Sequence, residues 1–167
     1  EAQDRLLRLL VETEQNALGW RLLRNDHLVI RRGGDSLVVA GTENDGEPPF
    51  PNLADTRESL EGVRSGAFVV MLQHDPSAWR RDILPKTTAQ LTLSGHTHGG
   101  QMQFFGHRPT QWRGRPDKGL YEQQGRYLYV NAGLGGLVPF RLNMPNEITV
   151  ITLRTKRRPA DPVAKAN

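Results

Sequence analysis

An α/β fold follows from three features of the sequence. Residues 1–17 carry apolar side chains at helical spacing. The run at 68–72 has the unbroken hydrophobicity of a strand covered on both faces of a sheet, and Leu91-Thr92-Leu93 reads as another buried strand. Each run stops at a histidine-bearing loop marked by proline or glycine, the arrangement in which α/β proteins collect their sites at the carboxyl ends of strands.

The elements follow in order. Leu6, Leu9 and Leu10, widened by Leu7 and Val11, form a stripe that predicts a helix burying one face, ended by Gly19. Residues 20–23, 28–31 and 37–40 are β-prone and separated by Asn25-Asp26 and Gly33-Gly34-Asp35, which predicts a small antiparallel meander. Residues 42–55, with Pro48, Pro49 and Pro51, read as loop, and 56–63 as a short helix. The strand at 68–72 ends at His74-Asp75-Pro76, and residues 77–84 continue as a helix. The strand at 91–93 runs into Ser94-Gly95-His96-Thr97-His98-Gly99-Gly100-Gln101. Further strands are predicted at 102–105, 127–130 and 148–153, with a Gly-, Pro- and Arg-rich loop over 106–118. Residues 155–167 lack periodicity and contain Pro159 and Pro162, so they read as a disordered basic tail.

Composition narrows the chemistry. The 167 residues are enough for one domain with a core, and 37% apolar with 24% charged is ordinary for a globular chain. No cysteine is present, which excludes disulfides, thiolate metal sites and cysteine nucleophiles. No apolar run approaches the roughly 18–20 residues of a membrane span, and no signal peptide is present. The net charge of +4 is concentrated in Arg154, Lys156, Arg157 and Arg158, without aromatic interleaving on a strand face, so no nucleic-acid partner is expected. That basic segment reads as a solvated terminus that favours an anionic membrane surface.

Three histidines stand out. His74, His96 and His98 all close apolar strands and sit among residues that permit tight turns, whereas His27 and His107 read as ordinary surface histidines. Gly95 and Gly99 let the backbone turn and approach a ligand. On an extended stretch, His96 and His98 point to different sides, which suits two adjacent metals better than one. Neutral imidazole is a ligand for Zn, Fe and Mn.

Gly95-His96-Thr97-His98 matches the Gly-His-x-His motif of calcineurin-like metallophosphoesterases, and the longer run 93–101 resembles the branch of membrane-associated bacterial phosphodiesterases and lipid pyrophosphatases. His74-Asp75-Pro76, Gly119-Leu120-Tyr121, residues 128–135 and Pro145-Asn146-Glu147-Ile148-Thr149 follow that branch's order. The resemblance implies the C-terminal half, over 1–154, of a four-layer αββα sandwich with mixed sheets inside and helices outside. It implies two divalent metal ions (Mn, Fe or Zn), with His74 and His96 on one and His98 on its neighbour. It also implies a metal-bridging hydroxide as nucleophile, and Gly99, Gly100 and Gln101 against the substrate.

The family's earlier motifs, Asp-x-His, Gly-Asp-x-x-Asp and Gly-Asn-His, do not occur; Gly34-Asp35 has Val38 where the second aspartate belongs. The expected function is therefore part of a phosphodiesterase or pyrophosphatase acting on a lipid- or nucleotide-linked phosphate, with the isolated chain inactive and no catalytic residue assigned. A non-catalytic binding module is the alternative. Expected partners are the phosphoester substrate, the missing N-terminal half of the domain and a second copy through an exposed sheet face. The chain begins at Glu1 rather than Met, and the expected location is the bacterial cytoplasmic membrane or its surface, through a segment upstream of residue 1.

Overall fold

The computed structural model describes residues 2–154. The predicted tail at 155–167, with three of its four clustered cations, lies outside the described residues. Helix α1 (Ala2–Glu12) continues through a wider π-type turn, Thr13–Ala17, and Gly19 ends it in the left-handed conformation. Six strands follow: β1 (Asp26–Arg32), β2 (Asp35–Gly41), β3 (Phe68–Leu72), β4 (Leu91–Ser94), β5 (Gly119–Gln123) and β6 (Arg126–Val130). They form one mixed sheet in the order β1-β2-β3-β4-β6-β5. β2, β3, β4 and β6 run parallel, while β1 and β5 lie antiparallel at the two edges. This is an α/β architecture, as the sequence predicts.

Register explains which face is core. Val38 pairs with Val69, Ala40 with Met71, Met71 with Thr92, Thr92 with Leu128, and Ser94 with Val130, so all point to one side. Trp79 and Ile83, in the π-type turn Trp79–Ile83 that leads into the short helix α2 (Leu84–Lys86), pack on Val38, Ala40, Val69, Met71, Leu128 and Val130. Arg126 closes the end of this helical segment by donating to the carbonyls of Leu84 (2.7 Å), Ala89 (2.7 Å) and Ile83 (3.0 Å).

The opposite side of the sheet is partly open. Phe68, Leu72 and Tyr127 are 40%, 39% and 43% exposed, while Val70 and Leu91 on the same side are buried, so the run at 68–72 is covered fully on one face and only in part on the other. The α1 stripe is likewise open rather than buried, with Leu6, Leu9 and Leu10 more than half exposed.

Four local expectations change. Residues 20–23 are not a strand, because Asn25, in the left-handed conformation, draws the chain away. Its side-chain oxygen accepts from Glu43 and Asp55 N–H groups, each at 2.9 Å. The predicted meander is thus a two-stranded hairpin whose second strand joins β3. Residues 102–105 make only isolated bridges, Met102 with Leu142 and Phe104 with His107, because the chain reverses at Phe105 and Gly106, both at positive φ. Residues 148–153 form no strand: β6 already has β4 and β5 on its two edges, and Ile148 and Val150 are 80% and 88% exposed. β5 was not predicted; it forms because Gln124 and Gly125, both at positive φ, close a two-residue hairpin with β6.

Candidate metal centre

The parallel strands carry the histidines to one end of the sheet. The ladder extends one step past β3 and β4, with Gln73 N–H donating to Leu93 O and Gly95 N–H to His74 O. The His74 and His96 rings therefore meet edge to face, 5.2 Å between centroids. They share a cleft of about 600 Å³ with Asp75, Asp45, Arg113 and Arg115.

The loop after β4 is not extended. His96, His98, Gly99, Gly100 and Gln101 all have positive φ. For the three non-glycine residues that conformation is strained, and it persists where surrounding contacts over-determine it. Those contacts are visible. Thr97 donates its hydroxyl to Asp117 O. A Cβ on Gly100 would lie 2.8 Å from Thr110 Cγ2, and one on Gly99 would lie 3.0 Å from Met144 Cε. Asp117, 2% exposed, takes a two-pronged pair from Arg108 (2.8 and 3.0 Å) and a 2.6 Å bond from the Thr110 hydroxyl. This compact turn sets the His96 ring against His74. The His98 Nδ1 lies 3.2 Å from Ala132 O.

Burial pushes the His74 imidazole below its ordinary pKa; the neighbouring His96 and His98 lower it further, against a smaller upward pull from Asp75. The residue is exposed overall, yet partial burial of the imidazole disfavours the cation. A neutral ring with a free lone pair is what a divalent metal requires.

Other acids near the cleft are engaged elsewhere. Asp45 pairs with Arg81, Glu43 with Arg24 at 2.5 Å, and Asp75 accepts from Ser77 N–H at 2.8 Å. Among the described residues, no group of three or more His, Asp or Glu side chains is gathered closely enough to hold a metal ion. Imidazole nitrogen is a donor type that fits a divalent metal.

Of the residues assigned to substrate by resemblance, Gly99 and Gly100 form the tight turn beside His98, and Gln101 is buried. Its amide donates to Val138 O (2.9 Å) and Phe140 O (2.8 Å) and accepts from Leu137 and Val138 N–H. Arg113 and Arg115, which line the cleft, and Arg141, which holds the loop behind His98 with Glu147, carry no motif of their own in the sequence. Glu147 was visible only as part of the Pro145-Asn146-Glu147 block, and the backbone carbonyl of Ala132 has no side-chain signature at all.

The chain is 33% identical over 142 residues to an uncharacterized metallophosphoesterase of Aquifex aeolicus, covering 83% of this chain and 52% of that protein. It is 33% identical over 147 residues to the uncharacterized metallophosphoesterase YkuE of Bacillus subtilis, covering 82% of this chain and 48% of that protein. The chain belongs to the metallophosphoesterase superfamily. It spans about half the length of these two bacterial relatives. A Danio rerio protein named as a transmembrane protein with a metallophosphoesterase domain is 31% identical over 149 residues, which are 83% of this chain and 33% of that protein. No family model and no solved structure matches. Among the described residues of this metallophosphoesterase chain, no helix is long and apolar enough to cross a membrane.

Proposed function

We propose that the chain is part of a two-metal phosphoester hydrolase, a phosphodiesterase or pyrophosphatase acting on a lipid- or nucleotide-linked phosphate. The observation that carries this reading is the edge-to-face pair of His74 and His96 over a cleft, with His98 on the same loop, in a metallophosphoesterase chain. His74, His96 and His98 are the residues that would hold divalent metal. Such ions supply Lewis-acid stabilisation of phosphoryl oxygens and activate water. What this chain's own residues contribute is imidazole nitrogen donors, a turn rigid enough to aim them, and two arginines, Arg113 and Arg115, to attract an anionic phosphate. The remaining ligands belong to a complementary half of the domain, and the whole enzyme acts at the bacterial cytoplasmic membrane or its surface. The Danio rerio relative, a transmembrane protein by name, supports a membrane setting.

The test is zinc and manganese affinity by competition with a chromogenic chelator, beside hydrolysis of a chromogenic phosphodiester. The expected result is weak binding that His96→Ala abolishes, with no turnover above the blank. Metal affinity unchanged by His96→Ala would refute the reading.

A non-catalytic module holding an anionic partner is favoured by one observation, that Arg113 and Arg115 face the same cleft. Phosphate binding that is lost in the double variant Arg113→Gln/Arg115→Gln but indifferent to metal would select it.

A further inference from the structure

His98 and the loop after β6 touch at a single acceptor. The Ala132 carbonyl, 3.2 Å from His98 Nδ1, can only accept, so the nitrogen facing it carries the proton and the ring's lone pair falls on Nε2. The loop lies directly against the ring: a Cβ on Gly133 would be 3.6 Å from Nδ1.

Ala132 is fully buried and bracketed by two charged side chains. Glu147 accepts the Ala132 N–H at 3.1 Å through one carboxylate oxygen, and its own N–H donates to Gly133 O at 3.0 Å. Arg141 donates to Ala132 O at 2.8 Å, to Gly133 O at 3.1 Å and to Gly135 O. Glu147 is itself fixed by the Tyr129 hydroxyl, the Thr149 hydroxyl at 2.9 Å and Lys118 Nζ at 3.2 Å. The Ala132 oxygen has two lone pairs, so it takes Arg141 and His98 together. A turn that needed only to reverse the chain has no use for a carboxylate on one side of a buried residue and a guanidinium on the other. Both act on the one residue whose carbonyl meets the histidine.

We propose that Glu147 and Arg141 are positioning residues, which fix Ala132 so that its carbonyl holds His98 in the Nδ1–H tautomer and leaves Nε2 as the ligating nitrogen. This rests on His98 being a metal ligand. Residues one step behind a ligating histidine orient the ring, and their loss typically costs 10- to 100-fold in metal affinity.

The test is long-range ¹H–¹⁵N correlation of the histidine rings in ¹⁵N-labelled protein, above the ordinary imidazole range of about 6.5, with and without zinc. In the wild type, His98 is expected to show a protonated Nδ1 and a bare Nε2, with zinc moving the Nε2 signal. In Glu147→Gln and Arg141→Gln, His98 is expected to become a tautomer mixture, with zinc affinity down about 10-fold or more, while the His96 signals stay in place. Unfolding would move all the rings together, so His96 separates a positioning role from loss of structure. A wild-type His98 with its proton on Nε2, or a His98 tautomer unchanged in both variants, overturns the proposal. If one variant does not fold, Arg141→Lys, which keeps the charge and one donor, is expected to restore most of the wild-type tautomer, and equal loss in Lys and Gln variants counts against it. Zinc that moves none of the three histidines in the wild type removes the metal reading instead, because the tautomer comparison is made without metal.

Discussion

Gln101 satisfies its whole side-chain amide on four backbone groups of one loop, and the glycine at 136 leaves room for it. Truncation removes four hydrogen bonds to a loop whose Leu137, Val138 and Phe140 are themselves exposed, so water relieves much of the loss and each bond contributes about 0.5–1.5 kcal/mol. Gln101→Ala is therefore expected to lower stability by about 2–3 kcal/mol, read from the urea midpoint, whatever its effect on substrate. Glu147 makes a second residue-scale prediction. Burial alone raises its pKa, but bonds from the Tyr129 hydroxyl, Ala132 N–H, Thr149 and Lys118 outweigh it and bring the carboxyl from 4.5 down to about 2. A folded-state pKa below the unfolded one means the stabilisation is fully present above 4.5 and lost as pH falls through about 2. Acid titration of unfolding is expected to show the wild type converging on Glu147→Gln across that window. Parallel curves throughout would count against the network.

At the scale of elements, the turn after β4 combines strain with close packing. Gly100 and Gly62 both have positive φ, but a Cβ on Gly62 meets nothing within 4 Å, whereas one on Gly100 presses on Thr110. Gly62→Ala is expected to cost about 1–2 kcal/mol, the ordinary penalty of a left-handed residue. Gly100→Ala is expected to cost more, with the excess visible in paired thermal melts; equal losses would show that Thr110 yields freely. The same turn shows how much of the site was legible. Gly95, Gly99 and the two histidines announce a loop that approaches a ligand, and the apolar runs at 68–72 and 91–93 place it at strand ends. The left-handed run through His96, His98 and Gln101 is not written in local propensity; distant residues hold the same loop, Asp117 at Thr97, Met144 at Gly99 and Thr110 at Gly100. The strand expected at 148–153 failed for a related reason: alternation shows that a segment can pair, not that an edge is free beside it. β5 escaped notice because Gln124-Gly125 is a less familiar hairpin turn than Asn-Gly.

At the scale of the molecule, one sheet face is packed by Trp79 and Ile83 and the other presents Phe68, Leu72 and Tyr127. Apolar surface of this kind drives association when it is contiguous. We expect light scattering to detect species larger than a monomer, and the double variant Phe68→Ser/Leu72→Ser to shift them toward monomer. A monodisperse wild-type monomer that binds no hydrophobic dye would argue against an unpartnered face. The parallel register bears finally on the order of folding events. His98 and Ala132 stand 34 residues apart in the chain, and bringing such ends together costs about 3 kcal/mol of loop entropy before any contact repays it. His98 therefore meets Ala132 only after β4 and β6 have paired, at the slow end of assembly. On the proposed reading, a divalent metal held by His98 is expected to bind after the folding transition state. It is expected to leave the refolding rate unchanged and to lengthen the lifetime of the folded chain.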